Sequence, residues 1–215
     1  MLLTRQLTYR YPNSGPSFTF PDLAAEPNAP TLLLGPSGSG KSTWLHLLAG
    51  ILTPASGSTT LDGTDYAALC GGALDRFRGR HIGLVFQRAY FVEALSVSEN
   101  LAVARRMAGL DSNRKLITDL LQQLGIERYT HKSPRQLSVG EQQRVTIARA
   151  LVTQPKLILA DEPTSALDNR NAARVSTLLR QRAAALGAAL VVVTHDERLR
   201  RDFPAVVELE PTTTP

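Results

Sequence analysis

Residues 35 to 42 read Gly35-Pro36-Ser37-Gly38-Ser39-Gly40-Lys41-Ser42, a glycine-rich loop ending in a lysine and a hydroxyl, with Thr43 next. Gly38 and Gly40 can adopt positive φ, so that successive amide N–H groups turn toward an anion. The helix predicted to follow adds its positive N-terminal end. Lys41 brings a charge to the β- and γ-phosphates of a nucleotide. The Ser42 hydroxyl suits Mg²⁺, which keeps most of its water and takes few protein ligands. At average composition the Gly-x4-Gly-Lys-Ser/Thr pattern arises in roughly one chain of this size in a hundred. Residues 35–43 are therefore read as a phosphate-binding site rather than a surface turn.

The second chemical anchor is Lys156-Leu-Ile-Leu-Ala160-Asp161-Glu162-Pro163, an apolar run ending in two carboxylates. A short uncharged run bounded by Pro155 and Pro163 suits a strand buried on both faces of a parallel sheet. Ligands of such sheets sit beyond the carboxyl ends of the strands, where Asp161 and Glu162 fall. Adjacent strand residues point opposite ways, which predicts different roles. Asp161 is the candidate to orient a Mg²⁺ shell, and Glu162 to polarise an attacking water.

Leu137-Ser138-Val139-Gly140-Glu141-Gln142-Gln143-Arg144 resembles the signature sequence of the ATP-binding cassette (ABC) ATPases. Gln87, after the strand-like run 81–86, sits where that family has its Q-loop. Ser165-Ala-Leu-Asp168 looks like the D-loop, Val191-Val-Val-Thr-His195-Asp196 like the switch histidine, and Tyr11 like the adenine-stacking aromatic. The likeness runs in order over nearly the whole chain. Within the family, 82–87, 138–145 and 159–164 are most similar to the lipoprotein-releasing, macrolide-exporter and cell-division branch.

The resemblance implies an α/β fold, a P-loop NTPase cassette with a parallel-sheet core, an antiparallel N-terminal sheet and an inserted helical lobe. One domain is expected, with 1–87 and 151–215 as nucleotide-binding core and a lobe near 88–150 that carries the signature. It implies hydrolysis of ATP with Mg²⁺, using Glu162, His195 and Lys41, with Ser42, Gln87 and Asp161 around the metal. Ser138, Val139, Gly140 and Glu141 are implied to meet the nucleotide of a second copy, and Gln87 and Asp168 to couple the two sites. A homodimer and an integral membrane subunit are the implied partners. The implied work is to energise a transporter or extruder; the alternative is an ATPase driving a non-transporting membrane partner that controls envelope or cell-division enzymes. A soluble DNA-repair or translation role is disfavoured by the absence of heptads and of a second cassette.

Two positions depart from the family pattern. Val139 stands where the signature commonly has a glycine, and a β-branched residue takes positive φ only at a cost. Either this position is not left-handed or the composite site is weakened. Ser165 stands where many members of the branch have glycine, a milder change.

Plainer readings compete at several residues. Ser138 and Glu141 form a Ser-x-x-Glu capping box, as do Ser96 and Glu99. For Ser96 capping explains everything; for Ser138 a capped helix start is also what would offer amides to a phosphate. His46, His81 and His131 are read as surface or core residues, Trp44 as core packing, and Tyr9 rivals Tyr11 as adenine platform.

The positioning elements follow. Residues 2–11 and 57–61 suit antiparallel strands, and 21–30 a turn into the strand before the phosphate loop. Helices are predicted over 98–108, 112–124 and 169–186, the last two stopped by Gly125 and Gly187. The tail from Pro211 should fray. After Gln87 comes Arg88-Ala-Tyr90-Phe91-Val92-Glu-Ala-Leu95, where Phe91 is the candidate contact to a partner, the alternative being that the cluster packs the lobe's own core.

The chain has 215 residues, 43% of them hydrophobic, enough for one good core. One cysteine, Cys70, and no signal-peptide core at the start favour a reducing cytoplasm. The longest uncharged apolar stretch, 183–193, is far short of a membrane span, so any membrane attachment must come through a partner, which the resemblance implies to be at the inner face of the cell membrane. A net charge of +5, with arginines gathered between Arg170 and Arg201, reads as a solvated helix face. No aromatic cluster accompanies it, and no nucleic-acid partner is expected.

Overall fold

The computed structural model describes residues 1–12, 16–165 and 167–210. β1 (Leu2–Arg10), β2 (Ser17–Thr19) and β3 (Leu23–Ala25) precede β4 (Thr31–Leu34), which runs through the glycine-rich loop into α1 (Lys41–Leu48). β5 (Ser56–Leu61), β6 (Thr64–Asp65), α2 (Gly72–His81) and β7 (Ile82–Val85) follow. Next come α3 (Val97–Met107), α4 (Arg114–Gln123) and α5 (Val139–Leu151). The chain closes through β8 (Leu157–Asp161), α6 (Asn169–Leu186), β9 (Ala189–Thr194) and β10 (Ala205–Glu208).

Two sheets result. The first is antiparallel, with strand order β2-β1-β5-β6 and β3 also on β1. The second is parallel, in the order β10-β4-β9-β8-β7. Its central strands are buried on both faces, which is why they read as uninterrupted apolar runs. Because side chains alternate, one strand feeds two cores. Leu32, Ile158, Leu190 and Val192 pack with α3 to α6. Leu33, Leu157, Leu159 and Val191 pack toward α1 and the antiparallel sheet. Trp44 is fully buried there, stacked on Phe20 at 5.3 Å, as its helical position predicts.

The helices on the first face begin where their caps predict. Ser96 and Glu99 form a capping box at α3, and Asn113 caps α4 by accepting from the Leu116 amide at 3.0 Å. α5 lies close on β7: a Cβ on Gly83 would stand 2.3 Å from the Ala150 carbonyl oxygen, so only glycine fits. Buried Arg105 of α3 ties this end down, donating to the Val152 carbonyl at 2.8 Å. No helix among the described residues is long and apolar enough to cross a membrane.

Several elements differ from expectation. Residues 21–30 hold β3, registered Leu2↔Ala25 on β1, where a turn was expected. Its alternation covers only three residues, too short to stand out among the prolines. α2 was not expected, because its apolar face is reduced to Leu74 and Phe77, half-buried against the second core, among charged residues. β10 was missed as well, a half-buried strand at the sheet edge. The strand expected from residue 81 starts at Ile82, since His81 ends α2. The tail from Pro211 lies outside the described residues.

Candidate functional site

The parallel order puts the ends of β4, β8 and β9 side by side, so the glycine-rich loop, Asp161, Glu162 and His195 share one edge. Gly38 and Gly40 have φ of +83° and +88°, and Gly40 is the left-handed residue that starts α1. A Cβ there would meet Phe18 Cδ1 at 2.5 Å, so the turn needs glycine for space as well as for φ. No side chain caps α1, which leaves the amides of Lys41, Ser42 and Thr43 to a ligand.

Lys41 is buried and donates from Nζ to the carbonyls of Gly35 and Pro36, both at 2.7 Å. Burial lowers its pKa, and the negative charges of Glu162 and Asp161 oppose that shift. Ser42 Oγ donates to Asp161 Oδ2 at 3.0 Å. Burial raises the Asp161 pKa, which the Ser42 bond counters and the Glu162 charge reinforces. Asp161 Oδ1 and Ser39 Oγ are buried without a hydrogen-bond partner among the described residues. An exposed hydroxyl bonded to a half-buried carboxylate with an oxygen to spare is a hard-donor set that fits Mg²⁺.

Glu162 is not a strand residue. It turns left-handed at φ 46°, its amide bonded to the Val193 carbonyl at 2.8 Å. This turn, rather than strand alternation, separates the two acids. Its carboxylate is held from β9: Thr194 Oγ1 donates to Oε2 at 2.8 Å, and the His195 amide and Nδ1 approach Oε1 at 3.1 and 2.7 Å. The Glu162 side chain is 11% exposed and that of His195 59%, so the acid is fixed and the histidine faces outward. Thr194 escaped the sequence reading, although it directly precedes His195 at the strand end.

A cleft of ≈ 370 Å³ joins these groups, with Gln87, Glu162 and His195 facing the loop residues Gly38, Lys41 and Ser42. Gln87 Nε2 also reaches Ser165 Oγ at 3.4 Å. Tyr11 borders the loop, its hydroxyl 2.9 Å from Thr43 Oγ1 and its ring edge-on to Tyr9 at 4.9 Å. Tyr11 is exposed, while Tyr9 packs on the second core.

Ser138, Val139, Gly140 and Glu141 do not line this cleft. They form the start of α5, where Ser138 is N-cap and its amide donates to Glu141 Oε2 at 2.9 Å. The Tyr129 hydroxyl donates to Glu141 Oε1, and with the Ser138 amide and hydroxyl it pulls the Glu141 pKa down to about 2. Val139 is helical rather than left-handed, and 59% exposed. Its branched side chain therefore costs no backbone strain. Asp168 caps α6, accepting from the Asn171 amide at 3.0 Å and from Asn171 Nδ2 at 2.6 Å.

Phe91 is half-buried against the first core with the Arg149 guanidinium 5.4 Å above its ring, which supports the plainer reading of it as packing of the lobe. Its neighbours Tyr90 and Val92 are the exposed ones. The arginines from 170 to 201 include several in ion pairs and hydrogen bonds, such as Arg180–Asp202 and Arg182–Gln123. This agrees with a solvated face.

A glycine-rich loop, a capless helix start and two strand-end acids at one parallel edge define a P-loop nucleoside-triphosphate hydrolase. The family model described as ABC transporter matches residues 21–165. The chain is 39% identical to the lipoprotein-releasing system ATP-binding protein LolD of Legionella pneumophila (strain Lens), over 97% of this chain and 95% of that one. It is 43% identical to LolD of Anaeromyxobacter dehalogenans (strain 2CP-C), over 83% of this chain and 76% of that one. The fold is similar to a solved dimer of the ATP-binding cassette MJ0796 in a post-hydrolysis state with ADP and Pi, at TM-score 0.87 and 32% identity, covering 99% of this chain and 95% of that one. The chain belongs to the ABC transporter family, as an ATP-binding, ATP-hydrolysing subunit of a membrane transport system.

Proposed function

We propose that this ATPase works as a homodimer in which each ATP lies between the phosphate loop of one copy and the α5 start of the other. One observation carries the reading: Ser138 to Glu141 do not line the cleft that Lys41, Ser42, Glu162 and His195 share, and Val139, which borders the neighbouring hollow beside Gln87 and Glu162, is exposed at the helix tip. A second copy would complete it. Asp161 and Ser42, with Gln87 at the cleft wall, would hold Mg²⁺, which supplies neutralisation of β- and γ-phosphate charge when bound.

Gly35, Pro36, Ser37, Gly38, Ser39, Gly40 and Thr43 form the phosphate cradle, and Lys41 exchanges its carbonyl partners for phosphate oxygens. Glu162 accepts a hydrogen bond from the attacking water and aligns it with the γ-phosphorus. Thr194 and the His195 amide keep that carboxylate in one orientation, while the exposed His195 ring reaches the γ-phosphate. Tyr11 stacks on adenine. Gln87 and Asp168 link the two sites, and 1–87 with 151–215 form the core on which the lobe near 88–150 moves.

The chain works from the cytoplasmic face through a membrane subunit. The LolD relatives support a partner of the lipoprotein-releasing kind, and exposed Tyr90 and Val92 offer it an apolar contact.

Glu162→Gln tests the reading, because the amide keeps shape and loses basicity. Turnover should fall about 10²- to 10⁴-fold. Gel filtration with Mg-ATP should then show an accumulated dimer. Unchanged hydrolysis with monomer alone would overturn both the base and the pairing.

A further inference from the structure

The carboxylate of Glu141 joins two elements. One oxygen, Oε2, accepts from the Ser138 amide and closes the capping box of α5. The other, Oε1, accepts the Tyr129 hydroxyl and stands 3.6 Å from Arg128 Nη2. Tyr129 is itself fixed. It is buried against the first core, with Arg128 and Lys132 over its ring at 4.7 and 5.3 Å. The chain just after it is sewn to α3: the amides of Val97 and Ser98 donate to the carbonyls of Lys132 and Thr130, both at 3.0 Å. The start of α5 is thus referenced to α3 through one phenol.

That placement bears on the free amides. Of the first three amides of α5, that of Glu141 is taken by the Ser138 side chain, which leaves those of Val139 and Gly140 for a ligand. A capping carboxylate free to swing would let this first turn fray and lose their common direction.

We propose that Tyr129 is a positioning residue for ATP-dependent pairing: its hydroxyl fixes the Glu141 carboxylate, and so aims the Val139 and Gly140 amides at the γ-phosphate held by a second copy. This rests on the reading that the α5 start meets nucleotide in trans.

Tyr129→Phe keeps the ring, its packing and its two cations while removing only the donor. In a Glu162→Gln background, the ATP concentration for half-maximal dimer by gel filtration should rise about ten-fold, the order expected for a lost bond to a charged acceptor. Fluorescent-nucleotide affinity of the dilute monomer should stay within about two-fold, since the phosphate loop is untouched. Unshifted dimerisation would overturn the proposal, as would a fall in thermal midpoint with dimerisation unchanged, which marks a structural role alone. Ser138→Arg separates the two readings, because its bulk blocks the interface directly. If it abolishes the dimer and Tyr129→Phe does nothing, the positioning role fails and trans pairing stands. If neither affects the dimer, trans pairing itself fails.

Discussion

Two helix starts in this molecule leave backbone amides free, and they are built in opposite ways. α1 begins at left-handed Gly40 with no side-chain cap and with Lys41 buried beside it, so its first three amides and a cation converge on one cleft. α5 begins at Ser138 with a complete capping box, spends one amide on its own side chain, and has Val139 exposed at its tip. The first end is poor as a helix terminus and good as a binding site. The second is a stable terminus that can bind only what is brought to it. On the proposed pairing, a site split in this way would hold nucleotide weakly on one copy and firmly between two.

The contrast breaks most visibly at Lys41. Lys41→Ala removes charge-assisted bonds to two phosphates, each worth about 1.5–3 kcal/mol, so ATP affinity of the monomer should fall by about 3 kcal/mol or more in a nucleotide titration. An unchanged affinity would place the ligand elsewhere. The α5 end responds to charge with two signs. Val139→Asp adds an acid in the first turn, which should stabilise the helix by about 0.3–1 kcal/mol in thermal unfolding. The same acid repels a γ-phosphate, so ATP-driven dimerisation should be lost; a dimer that persists would show that this end meets no nucleotide.

Tyr11 gives a smaller and divisible effect. Tyr11→Ala should weaken ATP and ADP binding alike by about 1–3 kcal/mol if its ring stacks on the base. Tyr11→Phe removes only the bond to Thr43 and should cost about 0.5–1.5 kcal/mol. If the two variants match, the hydroxyl is the contribution and the platform is not. The smallest effect is acid sensitivity. Glu141 is held at about 2 against an ordinary 4.5, so its contribution to the α5 cap is complete above about pH 4.5 and disappears as pH falls through about 2. Backbone NMR of residues 138–141 through that window should show the cap lost late, and earlier in Tyr129→Phe.

Much of the catalytic edge was legible because its elements carry local signals. The apolar runs ending at Leu34, Asp161 and Thr194 are buried on both faces, and such runs identify central parallel strands without further help. Tertiary geometry was not legible. Nothing in the order Asp161-Glu162 reveals a left-handed turn at Glu162, because that φ is stabilised by Val193, Thr194 and His195 of another strand. The surroundings of Phe91 were not legible for a similar reason: its ring is covered in part by Arg149, on a helix almost sixty residues away. Val139 was judged by a pattern's glycine, whereas the capping box beside it already specified helical φ.

The close seat of α5 on Gly83 gives the helix the mechanics of a lever. Its C-terminal end is clamped, by the Ala150 carbonyl over a glycine on one side and by the Arg105 bond to Val152 on the other. The opposite end lies about 20 Å away at 1.5 Å per residue. A tilt of about 10° at the clamp would carry Val139 through roughly 3 Å, the width of a hydrogen bond. Since Val145, Ile147 and Ala148 of the same helix are buried and Tyr129 holds its start, such a tilt would carry the helices packed on α5 along as one body.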